Sequence, residues 1–161
     1  MQALWMSFGH WLEHTSLANA MENYGFLAIG VSIVHYLSFF VLVGTNVMVD
    51  LRLLGLAGTK RNVTQFTEPL LPWTWTGLGL AILTGILQFT PDAATFFQID
   101  WFYAKIAVIV AGVLALLFIQ LNVRKWDQSI STAAKLIALA SLLIWIVAIL
   151  SATEVPQKAN L

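Results

Sequence analysis

Residues 24–48 read YGFLAIGVSIVHYLSFFVLVGTNVM, without a single Asp, Glu, Lys or Arg. A hydrocarbon core about 30 Å thick takes roughly 20 apolar residues in a helix, so the stretch reads as a transmembrane span. The same reading recurs further along the chain, at about 71–90, 102–121 and 134–152. Proline frames the second of these: Pro72 suits a first helical turn, and Thr90-Pro91-Asp92 ends the hydrogen-bond ladder.

The composition agrees. The chain is 59% hydrophobic and 10% charged, with a mean hydropathy of +0.81, whereas soluble domains carry about 25% charged residues. The expected fold is all-α: one integral membrane domain over residues 1–161, built as a four-transmembrane-helix bundle with an N-terminal amphipathic interfacial helix. That helix is expected over about 2–21, because Leu4, Trp5, Phe8, Trp11, Leu12 and Thr15 form a stripe at helical spacing opposite polar residues. No repeat or linker divides the chain, and the tail from Glu154 onward is expected to be loose.

Eight Lys and Arg balance eight Asp and Glu, so bulk charge suggests no nucleic-acid partner. The distribution is more telling. Arg52, Lys60 and Arg61 follow the first span, and Arg124, Lys125 and Lys135 flank the turn between the third and fourth. Basic loops stay cytoplasmic, which puts both termini on the outer, periplasmic side of an inner membrane. The amino terminus has neither a basic n-region nor a cleavage site, so the first span is expected to remain as an uncleaved anchor. Cysteine is absent, which excludes disulfides and thiolate metal sites. A glycine-rich phosphate loop and a serine-histidine-acid set are also missing, and the expected span interiors contain no carboxylate.

Small residues recur along the spans and read as packing seams, since close backbone approach drives helix association in lipid. They are Gly77, Ala81 and Gly85 in span two, and Ala104, Ala107, Ala111 and Ala115 in span three. Span four has Ala134, Ala138, Ser141, Ala148 and Ala152. Two polar stripes accompany them: Ser32, His35, Phe39, Leu42 and Asn46 on span one, and Thr74, Gly77, Ala81, Thr84 and Gln88 on span two. If the stripes meet inside the bundle, they bring Ser32, His35, Thr84 and Gln88 together.

His35 is the histidine placed deep in a span, a position that marks a functional site by default. Two readings stand side by side. In one, a neutral imidazole bonds Thr84, Ser32 or a backbone carbonyl and strengthens packing. In the other, His35 is an axial ligand to haem b, with His14, His10, a methionine or the His35 of a symmetry mate as second ligand. Lys105, about one turn into span three, either meets a haem propionate or quinone oxygen, or snorkels and pairs with Asp100 or Asp92. Asp50 and Arg52 are expected to end span one at the membrane surface and pair there. Met6, His10 and His14 step along one face of the first helix, a candidate copper or zinc site outside the membrane. The His10-Trp11-Leu12-Glu13-His14 string matches a zinc-protease motif only by coincidence, since no third ligand or cleft accompanies it.

Several stretches together resemble a family of uncharacterised bacterial four-helix membrane proteins, over nearly the whole chain. They are His35 with Gly44 and Asp50-Leu51-Arg52-Leu53-Leu54-Gly55, then Pro72-Trp73-Thr74-Trp75 with Gly77 and Thr84-Gly85, then Phe102 with Lys105, and Ser141 to Trp145. The resemblance implies the four-span fold and an inner-membrane location, and no activity or cofactor. A more distant similarity is to copper-resistance membrane proteins. Ser151-Ala152 stands where members of the first family often carry Gly-Arg.

Taken together, the sequence suggests a small accessory, anchoring or ligand-binding subunit that works in the lipid bilayer as a homo-oligomer or within a larger membrane complex. The alternatives are a haem b or quinone-linked electron carrier using His35, and metal handling on the outer side.

Overall fold

The computed structural model describes residues 2–159, with side chains for residues 4–151. The helices are α1 (Gln2–Glu13), α2 (Ser16–Asn23), α3 (Gly25–Leu54), α4 (Val63–Thr67), α5 (Leu71–Phe89), α6 (Ala93–Phe96), α7 (Asp100–Asn122) and α8 (Thr132–Ala159). Among the described residues there is no strand. Four segments are long and apolar enough to cross a membrane: Gly25–Leu54, Val63–Phe96, Asp100–Trp126 and Thr132–Ser151. This is the make-up of a multi-pass membrane protein. Of the tail expected to loosen after Glu154, α8 takes in residues up to Ala159, and Asn160 and Leu161 lie outside the described residues.

α3 pairs with α5 along its length and with α8, and α8 pairs with α7. α3 and α8 therefore form the centre and α5 and α7 the flanks. Two apolar clusters stack along the bundle. One joins Leu42, Val43, Leu78, Leu116, Trp145 and Ala148; the other joins Val49, Leu53, Val63, Ile119, Val123 and Ala138.

The first span overruns its expected end. Its helix stops only at Gly55, whose left-handed φ of 80° lets its N–H reach back to Arg52 O while Leu56 N donates to Leu51 O at 2.9 Å. Asp50 and Arg52 are buried within the fold at its basic end. They do not pair, because Arg52 Nη2 donates to Arg61 O at 2.6 Å.

The N-terminal segment is two helices, not one. Thr15 breaks it, donating to Leu12 O at 2.7 Å and accepting from Ala18 N at 3.3 Å as the cap of α2. α1 lies on α6, in the connection between α5 and α7. Gly9 allows this, since a Cβ there would stand 2.7 Å from Ala94 Cα. Glu13 Oε1 accepts from Ala94 N at 2.8 Å, and the rings of Trp5 and Phe8 pack on Phe97.

The alanine row of span three lies at the edge of its packing face, with Ala111 and Ala115 half-buried. Ala104 and Ala107 are exposed, while Gly112, Leu116 and Ile119 are buried. A large partner decides this: Trp145 is 1% exposed, and a Cβ on Gly112 would meet its ring at 3.1 Å.

At the basic end the two loops are tied together. Asn62 Oδ1 caps α4 by accepting from Gln65 N, and Asp127 Oδ1 accepts from Thr64 N, each at 2.7 Å. The Thr64 N–H, with the Arg52 charge behind it, holds the Asp127 carboxyl below its ordinary value. A depressed carboxyl stabilises the fold above its unfolded value and loses that effect as pH falls through the folded one. Wild type is therefore expected to lose more thermal stability than Asp127→Ala as pH drops below about 4, measured as unfolding midpoint against pH. Parallel curves would show that the tie contributes nothing.

Candidate functional site

The two polar stripes do meet, at the end of the bundle away from the basic loops. Ser32 Oγ donates to Gln88 Oε1 at 3.3 Å, and Gln88 Nε2 donates to Thr84 O at 3.4 Å. One turn deeper, His35 Nδ1 lies 3.0 Å from Thr84 Oγ1. Four residues of the expected site, Ser32, His35, Thr84 and Gln88, are thus one hydrogen-bonded set across the α3–α5 interface. The stripes stay in register further down, where Thr74 Oγ1 donates to Thr45 Oγ1 at 2.8 Å. Thr45, and not Asn46, makes that contact.

Thr84 favours one tautomer of the histidine. Its single hydroxyl hydrogen goes to Leu80 O at 2.6 Å, so its oxygen accepts from His35 Nδ1–H. In the neutral ring the lone pair is then on Nε2, the arrangement found where a histidine receives a metal or a donor hydrogen. Gly85 lies directly against the ring, since a Cβ there would stand 3.2 Å from His35 Cε1. The small residue read as a packing seam is here the room for an imidazole.

Lys105 comes from α7 and lies within electrostatic reach of His35. Its expected ion pairs are not formed: among the described residues the ion pairs are His10 with Glu13 and Arg124 with Glu68. Lys105 sits one turn below a cluster of rings in which Phe89 stacks on Phe102, centroids 5.2 Å apart and planes 10° apart, with Phe96 and Phe97 alongside. These rings hold α5 and α7 together at the end of the bundle where α1 sits.

Two openings flank the set. A cavity of about 400 Å³ is lined by Ser32, Gln88, Met21, Pro91 and the carboxylates Glu22 and Asp92. A second, about 370 Å³, is bounded by Phe26, Leu27, Gly30, Val31, Val34 and Thr84. Thr84 and its neighbours thus separate a polar pocket from an apolar recess.

Of the residues expected to form an outer metal site, His10 Nδ1 bonds Glu13 Oε2 at 3.1 Å, and His14 falls in the turn after α1, where its N–H still donates to His10 O at 3.3 Å. Glu13 ties α1 to α6 instead of serving as a base. Among the described residues no group of three His, Cys, Asp or Glu is placed to hold a metal ion.

Sequence reading passed over Gln120 and took Ser141 as a small seam residue and part of a family stretch, although Gln120 Nε2 and Ser141 Oγ are both buried atoms. The available signal was the four-residue step from Asn46 to Asp50 opposite that from Ser141 to Trp145.

One family's sequence model, described as a family of unknown function (DUF6644), matches residues 8–155. No curated protein and no solved structure matches the chain.

Proposed function

We propose that this chain, which belongs to the DUF6644 family of unknown function, is a non-catalytic ligand-binding subunit of a bacterial inner membrane, with His35 as the residue that receives the ligand. One observation carries the reading: Thr84 engages His35 Nδ1 and leaves Nε2 to accept, with the charge of Lys105 within electrostatic reach of the ring. A partner for that pair presents a hydroxyl hydrogen or a metal centre to Nε2 and an anionic or carbonyl oxygen to Lys105. The apolar recess beside Thr84 suits the tail of an amphiphile already dissolved in the bilayer. The positive-inside rule orients the chain with its six loop cations in the cytoplasm and both termini outside. In that orientation Leu4 and Trp11, both exposed on α1, rest on the outer leaflet, and the ligand enters from that side. The subunit works as a homo-oligomer or within a larger membrane complex.

The histidine's tautomer also favours a second reading, haem b. Here His35 Nε2 would hold the iron, Lys105 would meet a propionate, and the His35 of a second copy would supply the other protein ligand. In this chain, Thr84 would orient the imidazole and the Phe89–Phe102 stack would shield the outer edge.

The test is the absorption spectrum and the organic extract of detergent-purified protein from haem-replete cells, comparing wild type with His35→Ala and Thr84→Val. The expected result is a stoichiometric bound amphiphile in wild type that is lost in His35→Ala and weakened in Thr84→Val. A Soret band with the same dependence selects the haem reading. Protein that retains the same bound molecules after His35→Ala, or carries none, refutes the site.

A further inference from the structure

Between the two apolar clusters lies a layer of polar side chains taken out of water. On α3, Asn46 is 3% exposed and Asp50 1%; on α8, Ser141 is 0% exposed. Gln120 of α7 lies at the same level, flanked along its helix by the buried Leu116 and Ile119. Trp145 follows Ser141 by one turn. Asp50 and Ser141 face each other across the α3–α8 interface, the hydroxyl turned to the carboxyl, yet Asp50 Oδ2, Gln120 Nε2 and Trp145 Nε1 are without a hydrogen-bond partner. Arg52, the nearest cation along the helix, is turned to Arg61 O. Asn46 Nδ2 is committed to Leu42 O at 2.7 Å, which leaves its amide oxygen for the layer.

More than 90% of buried polar groups in native proteins are paired, by protein, water or ions. Three such atoms at adjoining levels call for something between them.

We infer that Asp50, Ser141 and Asn46 hold one monovalent alkali cation, with Gln120 and Trp145 donating to water that completes its shell. The donor set selects the ion: carboxylate, hydroxyl and amide oxygens suit hard cations. One carboxylate balances one positive charge and leaves the layer neutral, as its burial between apolar clusters requires. A divalent ion would leave a net charge and calls for more carboxylates. Water can meet both needs left over, accepting from the indole and amide N–H groups while its oxygen also turns to the ion. The site is independent of His35, which stands 15 residues away on α3, about 22 Å at 1.5 Å per residue.

The experiment is the thermal unfolding midpoint of the full chain in nanodiscs, with sodium chloride exchanged for choline chloride at constant ionic strength. Sodium is expected to raise the wild-type midpoint and to saturate, by binding the folded state alone. Asp50→Asn, which keeps shape and removes charge, is expected to be insensitive. Ser141→Ala, with one ligand fewer, is expected to need about tenfold more sodium for half the effect. Equal wild-type midpoints in sodium and choline overturn the inference. So does a sodium response that persists in Asp50→Asn, which would locate the ion elsewhere, for instance between Glu22 and Asp92. Should Asp50→Asn fail to fold, an unshifted sodium dependence in Ser141→Ala overturns it equally.

Discussion

Gly77→Leu is expected to abolish the folded bundle, and Gly77→Ala to destabilise it by about 1–3 kcal/mol. A Cβ at position 77 would lie 2.9 Å from Ser38 O and 3.0 Å from Leu42 N, both backbone atoms of α3. Backbone cannot swing aside as a side chain does, so α3 and α5 must separate. That separation forfeits the close dispersion contacts which, in lipid, replace a hydrophobic reward for association. It also pulls Thr84 from His35, two turns along the same interface. Gly79→Ala is the control: nothing lies within 4 Å of a Cβ there, so loss of glycine's backbone entropy is expected to leave stability unchanged or raise it by about 0.5–1 kcal/mol. Unfolding of each variant by denaturing detergent measures the difference. Equal stability for Gly77→Ala and Gly79→Ala would show that the α3–α5 contact is looser than described.

Trp145→Ala carries the next largest effect, about 3–5 kcal/mol. The ring is 1% exposed, sits edge-on to Phe39 with centroids 6.3 Å apart, and occupies the space that Gly112 leaves. It thereby joins α3, α7 and α8, and its removal opens a cavity at the crossing of all three. Trp145→Phe keeps most of the packing and forgoes only an indole N–H that has no protein partner, so its cost is expected to be less than half as large. The same detergent titration separates the two. A Trp145→Ala protein as stable as wild type would mean that α7 is held by other contacts.

The residues that make these predictions differ in how far sequence reveals them. Gly77 was legible, because its seam spacing on span two is a local pattern. So was the site on the α3–α5 interface: Ser32, His35, Thr84 and Gln88 follow helical periodicity on consecutive spans, and consecutive antiparallel helices pack together by default. Trp145 was not legible as the keystone of α7, whose alanine row looked the better seam until Gly112 proved to be the residue a tryptophan needs. Lys105 looked paired because acids stood near it in sequence, but nearness along a chain does not fix where a long side chain ends.

By itself the sequence determined that four apolar helices cross a membrane, since hydrocarbon thickness sets a length and composition that each segment displays without reference to the others. It also determined which face of spans one and two is polar, through the 3.6-residue period. Only the tertiary structure decided what those faces meet. It buried Asp50 against α8, set His35 Nδ1 against a Thr84 hydroxyl already turned to its own helix, and brought Asn46, Asp50, Gln120 and Ser141 from three helices toward one level. The physical reason is common to all three. Helix length and periodicity arise from bonds within a segment, whereas burial, tautomer and coordination depend on atoms that separate helices bring together, and no local pattern records them.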